Sequence, residues 1–247
     1  MTPLFDHVFP SEVVTFMSDR SLDFAQGSKI PREGRFNAQQ KSFLAEQLGF
    51  VPSFLADVRQ VHGRRVILAT EEFMRRNDFP EEADGLVTNI SNVALVIRTA
   101  DCLPVFMYDT KRKCLGLLHA GWRGSYQNIV QQAVSIMRQN FRTEPQDLKA
   151  ALGPAIRSCC YQVGGEFRDY FPREIIHRNQ DVYLDLPQVN TRQLVELGVW
   201  KENIFDCGLC TCCDKRFFSY RREGNEAGRM ISLMMLRETP TQKSSRS

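Results

Sequence analysis

The sequence predicts an α/β domain with its sheet sandwiched between helices, on three observations. The runs LVT (residues 86–88), VALVIRTA (93–100) and CLGLLHA (114–120) are nearly uninterrupted apolar stretches, as expected of strands buried on both faces. Segments with apolar residues at helical spacing accompany them, and these supply the covering layers. No internal repeat or linker divides the chain. We therefore expect a single domain over residues 1–238, followed by a polar, disordered tail over 239–247.

Taken in order, the chain opens on a short apolar segment (13–24), and a polar surface link follows over 26–34. Phe36, Phe43, Leu44 and Leu48 recur at helical spacing, with Gly49 as the stop. LADVRQVHG and RVILAT read as strands separated by a turn at Gly63, which puts His62 at a strand end. A charged connection (71–82) leads to ADGLVT. VALVIRTA ends in Asp101 and Cys102, Pro104 is expected to interrupt the ladder, and PVFMYD resumes it before the turn into CLGLLHA.

Gly121 and Gly124 bracket Trp122 and Arg123 ahead of one long helix capped by Ser125. Its apolar stripe is Ile129, Val130, Ala133, Val134, Met137 and Phe141. Such an entry is either a seat for an anion on free backbone N–H groups or only a tight strand-to-helix turn. LKAALGPAI is a further buried strand, GEFRDYFPREIIH a helix broken at Pro172, and YLDLPQVNTRQLVELG a strand and a short helix closed by Gly198. IFDCGLCTCC, RFFSYRREG and GRMISLMML complete the pattern.

Composition narrows the function. The net charge of +3, with basic and acidic residues interspersed, gives no footprint for nucleic acid. No apolar window is long enough for a membrane span, and the start MTPLFDHVFPSEVVTF carries acids and prolines where a secretory signal needs a basic start and an apolar run. The eight cysteines then read as reduced thiols or metal ligands, and the expected location is the cytoplasm.

Of the four histidines, His62 and His119 end strands near Cys102, whereas His7 and His177 have no such company. A thiolate and two imidazoles suit zinc, and a catalytic zinc site keeps three protein ligands with a fourth position open. Copper fits the same donors.

QVHG (60–63), ADGLVT (83–88), TADCLPV (99–105), GLLHAGWRG (116–124), LGPAIRSCCYQVG (152–164) and FFSYRR with GRM near the end together resemble the laccase-domain (YfiH-like) family. Its members are also called purine nucleoside phosphorylases, polyphenol oxidases or peptidoglycan-editing factors. The resemblance implies a three-layer α/β/α fold around a central mixed sheet, with the metal on His62, Cys102 and His119. It also implies phosphorolysis of adenosine, inosine, guanosine or methylthioadenosine, and deamination of adenosine.

Deamination requires an acid/base, for which Asp84 and Asp101 are the candidates, Asp101 alternatively orienting a ligand. Phosphorolysis requires cations for phosphate and for the charge that develops at the breaking bond. Arg123, in the turn after His119, is the first candidate, followed by Arg98, Arg221 and Arg222. Three rival readings exist. A multicopper laccase needs more imidazoles than four histidines supply. A metal-free Cys-His hydrolase or amidase acting on a peptidoglycan precursor would use Cys102 as nucleophile and His119 as base. A binding module would instead carry a zinc knot formed from Cys207, Cys210, Cys212 and Cys213, completed by Cys159 and Cys160.

Overall fold

The computed structural model describes residues 5–25, 36–75 and 81–238. The expected surface link at 26–34, part of the charged connection at 71–82 and the expected tail at 239–247 lie outside them. In chain order the elements are β1 (Val13–Met17), α1 (Ala38–Leu48), β2 (Phe54–Ala56), β3 (Val66–Leu68), α2 (Glu71–Arg75), β4 (Gly85–Thr88), β5 (Val93–Thr99), β6 (Leu103–Asp109) and β7 (Cys114–Ala120). They continue with α3 (Trp122–Tyr126), α4 (Ile129–Phe141), β8 (Leu148–Leu152), β9 (Gln162–Val163), α5 (Phe167–Tyr170), β10 (Ile175–Arg178), β11 (Asp181–Leu184), α6 (Leu186–Glu196), β12 (Ile204–Asp206), α7 (Tyr220–Glu223) and β13 (Met230–Leu236).

The fold is mixed α/β with helices on both outer faces, and its β layer is shared between two sheets packed face to face. One has the order β1-β13-β5-β2 and the other β12-β8-β6-β7-β4-β3, both mixing parallel and antiparallel pairs, with β10-β11-β9 as a small separate sheet. The period of two along each strand explains the arrangement. In β5, Val93, Leu95 and Ile97 point into the space between the sheets, where they meet Phe106 and Tyr108 of β6 and Leu115 and Leu117 of β7. The alternate residues Ala94 and Val96 face Leu44 of α1.

On the far side, Val105, Met107 and Leu118 face the stripe of Ile129, Val130, Ala133, Val134 and Met137 on α4, with α6 alongside. Each fully buried aliphatic side chain contributes about 1.5–3 kcal/mol relative to exposure. Strands covered by a second sheet are as apolar as strands covered by helices, so the sequence pattern does not distinguish the two.

Several boundaries differ from expectation for local reasons. The first expected strand is only Phe54–Ala56, and the residues beyond it form the loop that carries His62. Pro104 lies within β6, opposite His119. The bond its missing N–H gives up falls beyond the last β6–β8 register pair, Val105 with Leu152, so the ladder survives. The long helix is interrupted because Asn128 adopts a left-handed conformation (φ 60°) between α3 and α4, which asparagine tolerates. Ser125 is no cap; its buried hydroxyl accepts from Nδ2 of Asn190 at 2.9 Å. Residues 175–178 form a strand, not the continuation of a helix, because they pair with β11. Helix α1 appears as expected, with Asn37 and Gln40 capping it reciprocally and Gly49 ending it.

Candidate metal centre

The site forms where the chain crosses from one sheet to the other. Strands β5 and β6 are consecutive in sequence but belong to opposite sheets, and the crossing residues 100–102 bring Cys102 to the corner. Strand β7, paired with β6, carries His119 to the same place. His62 arrives from the loop between β2 and β3, with a left-handed backbone (φ 59°), not from a strand end. The two imidazole rings meet edge to face with centroids 4.7 Å apart, and the ligand atoms of His62, Cys102 and His119 all lie within 4.8 Å of one another. His119 is buried, Cys102 half-buried and His62 exposed, so the three donors converge on a point open to solvent on the His62 side.

Asp84, fully buried, organises the trio. Its Oδ1 accepts from Nδ1 of His119 at 2.8 Å and from the His62 amide at 2.9 Å, and its Oδ2 accepts from the Gly63 amide at 2.7 Å. With Nδ1 engaged, the other ring nitrogen of His119 is presented to the site. Burial works against the Asp84 carboxylate, but the bond and charge of His119 and the loop amides hold it below its ordinary value. Gln60 fixes the other end of the His62 loop by exchanging two hydrogen bonds with the backbone of Arg98, at 2.7 and 2.8 Å.

Two glycines stand at close approaches beside the site. A Cβ on Gly121 would stand 3.0 Å from Sγ of Cys102 and 3.4 Å from Cδ2 of His62, and a Cβ on Gly124 would stand 2.8 Å from the Gly63 carbonyl oxygen.

Asp101 occupies the left-handed region (φ 86°), a conformation that persists where the surroundings over-determine it. Its Oδ1 accepts from Oγ1 of Thr211 at 2.6 Å, and its Oδ2 accepts from Oγ of Ser219 at 3.0 Å and from the Arg221 amide at 2.6 Å. The carboxylate therefore ties two distant loops to the residue before Cys102.

The four candidate arginines separate. Arg123 is exposed and stacks on Trp122 at 4.6 Å, one turn beyond His119. Arg221 is exposed, lies 5.5 Å from the Tyr161 ring and donates to the carbonyls of Cys160 and Gln162. The side chain of Arg98 is not brought to the centre: it is buried in an ion pair with Asp57 at 2.8 Å and lies 4.6 Å over Phe36, on the α1 face of its sheet. Arg222 is likewise committed, donating to the carbonyls of Thr211, Cys212 and Phe217 and to Glu223.

Tyr161, in the CCYQVG motif, is a further residue near the site that the sequence pattern does not single out. Burial, then the charge of Cys102, push its hydroxyl above its ordinary value, and Arg221 and Arg123 oppose this, so all three groups lie within electrostatic reach of it.

Cys102 and His119 shift in opposite directions. Burial raises the thiol, but the charge and hydrogen bond of His119, joined by His62, bring it down to about 6. Burial lowers His119, and the Cys102 charge with the Asp84 bond raises it to about 9. The donor set fits a borderline-soft divalent metal: one ready thiolate, two imidazoles, and a carboxylate fixing one imidazole from behind.

Residues 35–237 match the family model described as multi-copper polyphenol oxidoreductase laccase. The chain is 28% identical over 216 residues to a purine nucleoside phosphorylase of Aquifex aeolicus (strain VF5), covering 87% of this chain and 93% of that one. It is 33% identical over 204 residues to the adenosine deaminase RL5 of an unknown prokaryotic organism, covering 76% and 78% respectively. Among solved structures, YlmD from Geobacillus stearothermophilus superimposes with a TM-score of 0.81 at 28% identity, over 92% of this chain and 93% of that one.

Proposed function

The chain belongs to the multi-copper polyphenol oxidoreductase laccase family, and within it we propose that the protein is a cytoplasmic, metal-dependent purine nucleoside phosphorylase that also deaminates adenosine. The proposed substrates are adenosine, inosine, guanosine and methylthioadenosine, with inorganic phosphate. The names of the two relatives support the reaction classes. The observation that carries the reading is the convergence of His62, Cys102 and His119 in front of Asp84. Multicopper oxidation is not proposed, because four histidines are too few for its copper cluster.

Zinc is the proposed metal, with copper as a competitor for the same donors, and when bound it would supply Lewis acidity at an open fourth position. The remaining work falls to the chain itself. Asp84 keeps His119 in one tautomer and holds the His62 loop against it. Asp101 braces the Cys102 corner, and with three donors already on its carboxylate it is assigned to positioning, not to proton transfer. Arg123 and Arg221 are assigned to phosphate, since both are exposed and share the electrostatic neighbourhood of Tyr161 beside Cys102.

The test is to incubate metal-defined protein with adenosine, with and without phosphate, and to identify products by mass. Adenine with ribose 1-phosphate, formed only with phosphate, and inosine formed in both cases are expected. His62→Ala, Cys102→Ala and His119→Ala should each abolish both reactions, and intact turnover in any of them would overturn the assignment.

The paired shifts of Cys102 and His119 also favour a second reading, a Cys-His hydrolase or amidase working through a thiolate. Full activity of chelator-treated, metal-free protein, lost in Cys102→Ala, would select it.

A further inference from the structure

Cys159, Cys160, Cys210 and Cys213 form a second convergence of donors: their four sulfurs lie within 4.8 Å of one another. Sγ of Cys213 is 3.5 Å from that of Cys159 and 3.2 Å from that of Cys160, and all four thiols are free. A tetrahedral zinc–thiolate site places its sulfurs ~3.8 Å apart, given Zn–S bonds of ~2.3 Å. The cluster needs only small movements to reach that spacing.

The two halves are built differently. Cys210 and Cys213 stand three residues apart on a turn closed by the Asp214 amide donating to the Cys210 carbonyl at 2.9 Å. The adjacent pair Cys159 and Cys160 faces this turn from a loop fixed by the Cys160 and Tyr161 amides, which both donate to the Arg157 carbonyl at 2.8 Å. Cys207 and Cys212, equally near in sequence, lie outside the cluster, so the grouping is set by the fold and not by local cysteine density.

Arg221 and Arg222 fasten the backbone of the same segments, donating to the carbonyls of Cys160 and of Thr211 and Cys212.

We propose that Cys159, Cys160, Cys210 and Cys213 hold a structural zinc ion, separate from the His62, Cys102 and His119 centre. Binding releases the thiol protons to solvent and leaves no open position, so this ion carries no chemistry of its own. It cross-links loops that lie up to 54 residues apart in sequence. It acts next to the first centre because Thr211, on the same turn, donates to Asp101, the residue before Cys102. The inference stands whatever reaction the first centre performs.

Elemental analysis of protein purified under reducing conditions with zinc tests it. We expect two zinc ions per chain in the wild type and one in a triple His62→Ala, Cys102→Ala, His119→Ala variant. X-ray absorption of that variant should show four sulfur ligands and no imidazole. Cys160→Ser with Cys213→Ser should lose one ion; if that protein does not fold, the triple variant decides alone. A triple variant without zinc, with four freely labelled thiols or a Cys160–Cys213 disulfide by mass, would overturn the proposal, as would imidazole or oxygen ligands.

Discussion

The carboxylate of Asp84 accepts from Nδ1 of His119 at 2.8 Å and, through the same oxygen, from the backbone amide of His62 at 2.9 Å. One buried anion thus sets the ring of one donor and the backbone of another, joining β4, β7 and the loop before β3 in a single arrangement.

Asp84→Asn keeps the shape but offers the two histidines one weaker acceptor. Metal affinity at the first centre, measured by chelator competition, should fall ~10–100-fold, the range for losing a partner behind a ligating histidine. Unchanged affinity would mean that the carboxylate serves the loop alone.

Gly121→Ala places a methyl group 3.0 Å from the Cys102 sulfur. Displacement by a fraction of an ångström should lower turnover ~10–100-fold, with the unfolding midpoint nearly unchanged. A large loss of stability with normal turnover per folded molecule would contradict the role given to this close approach.

Arg123→Ala should separate the two proposed reactions. The KM for phosphate is expected to rise ~10-fold or more, as for the loss of a charge-assisted contact, while inosine formation from adenosine is retained. An equal loss of both reactions would place Arg123 in the nucleoside contact instead.

Arg98→Ala removes the guanidinium that stands 2.8 Å from Oδ2 of buried Asp57, and breaking a buried ion pair costs about 3–5 kcal/mol. Denaturant titration should record that loss, whereas the KM values of the surviving folded enzyme should hardly move. A raised KM at normal stability would restore Arg98 as a substrate contact.

Glu12 accepts from Nζ of Lys113 at 2.7 Å and from the Tyr108 hydroxyl at 2.9 Å. The Lys113 bond holds Glu12 below its ordinary 4.5, and Glu12 raises Lys113 above its ordinary 10.5. The Glu12 contribution is present above pH 4.5 and is lost as pH falls through the depressed folded value. The Lys113 contribution is present below pH 10.5 and is lost as pH rises through the elevated one. Glu12→Gln should therefore be less stable between those limits, by no more than ~1 kcal/mol because the pair is partly exposed, and should approach the wild type at either extreme. A difference independent of pH would show that charge is not involved.

The sequence by itself determined β5, β6, β7 and the stripe of α4, because uninterrupted apolar runs and a 3.6-residue period are local properties. It also placed Cys102 and His119 at the ends of such runs, and the motifs around them pointed to His62. Only the tertiary structure decided that β5 and β6 belong to opposite sheets, since burial by a sheet and burial by a helix leave the same apolar pattern. The same holds for Arg98, whose partner Asp57 is 41 residues away, and for the choice of four among the eight cysteines. Those relationships depend on which loops the sheets bring together, and that is fixed by long-range register and packing, not by neighbouring residues.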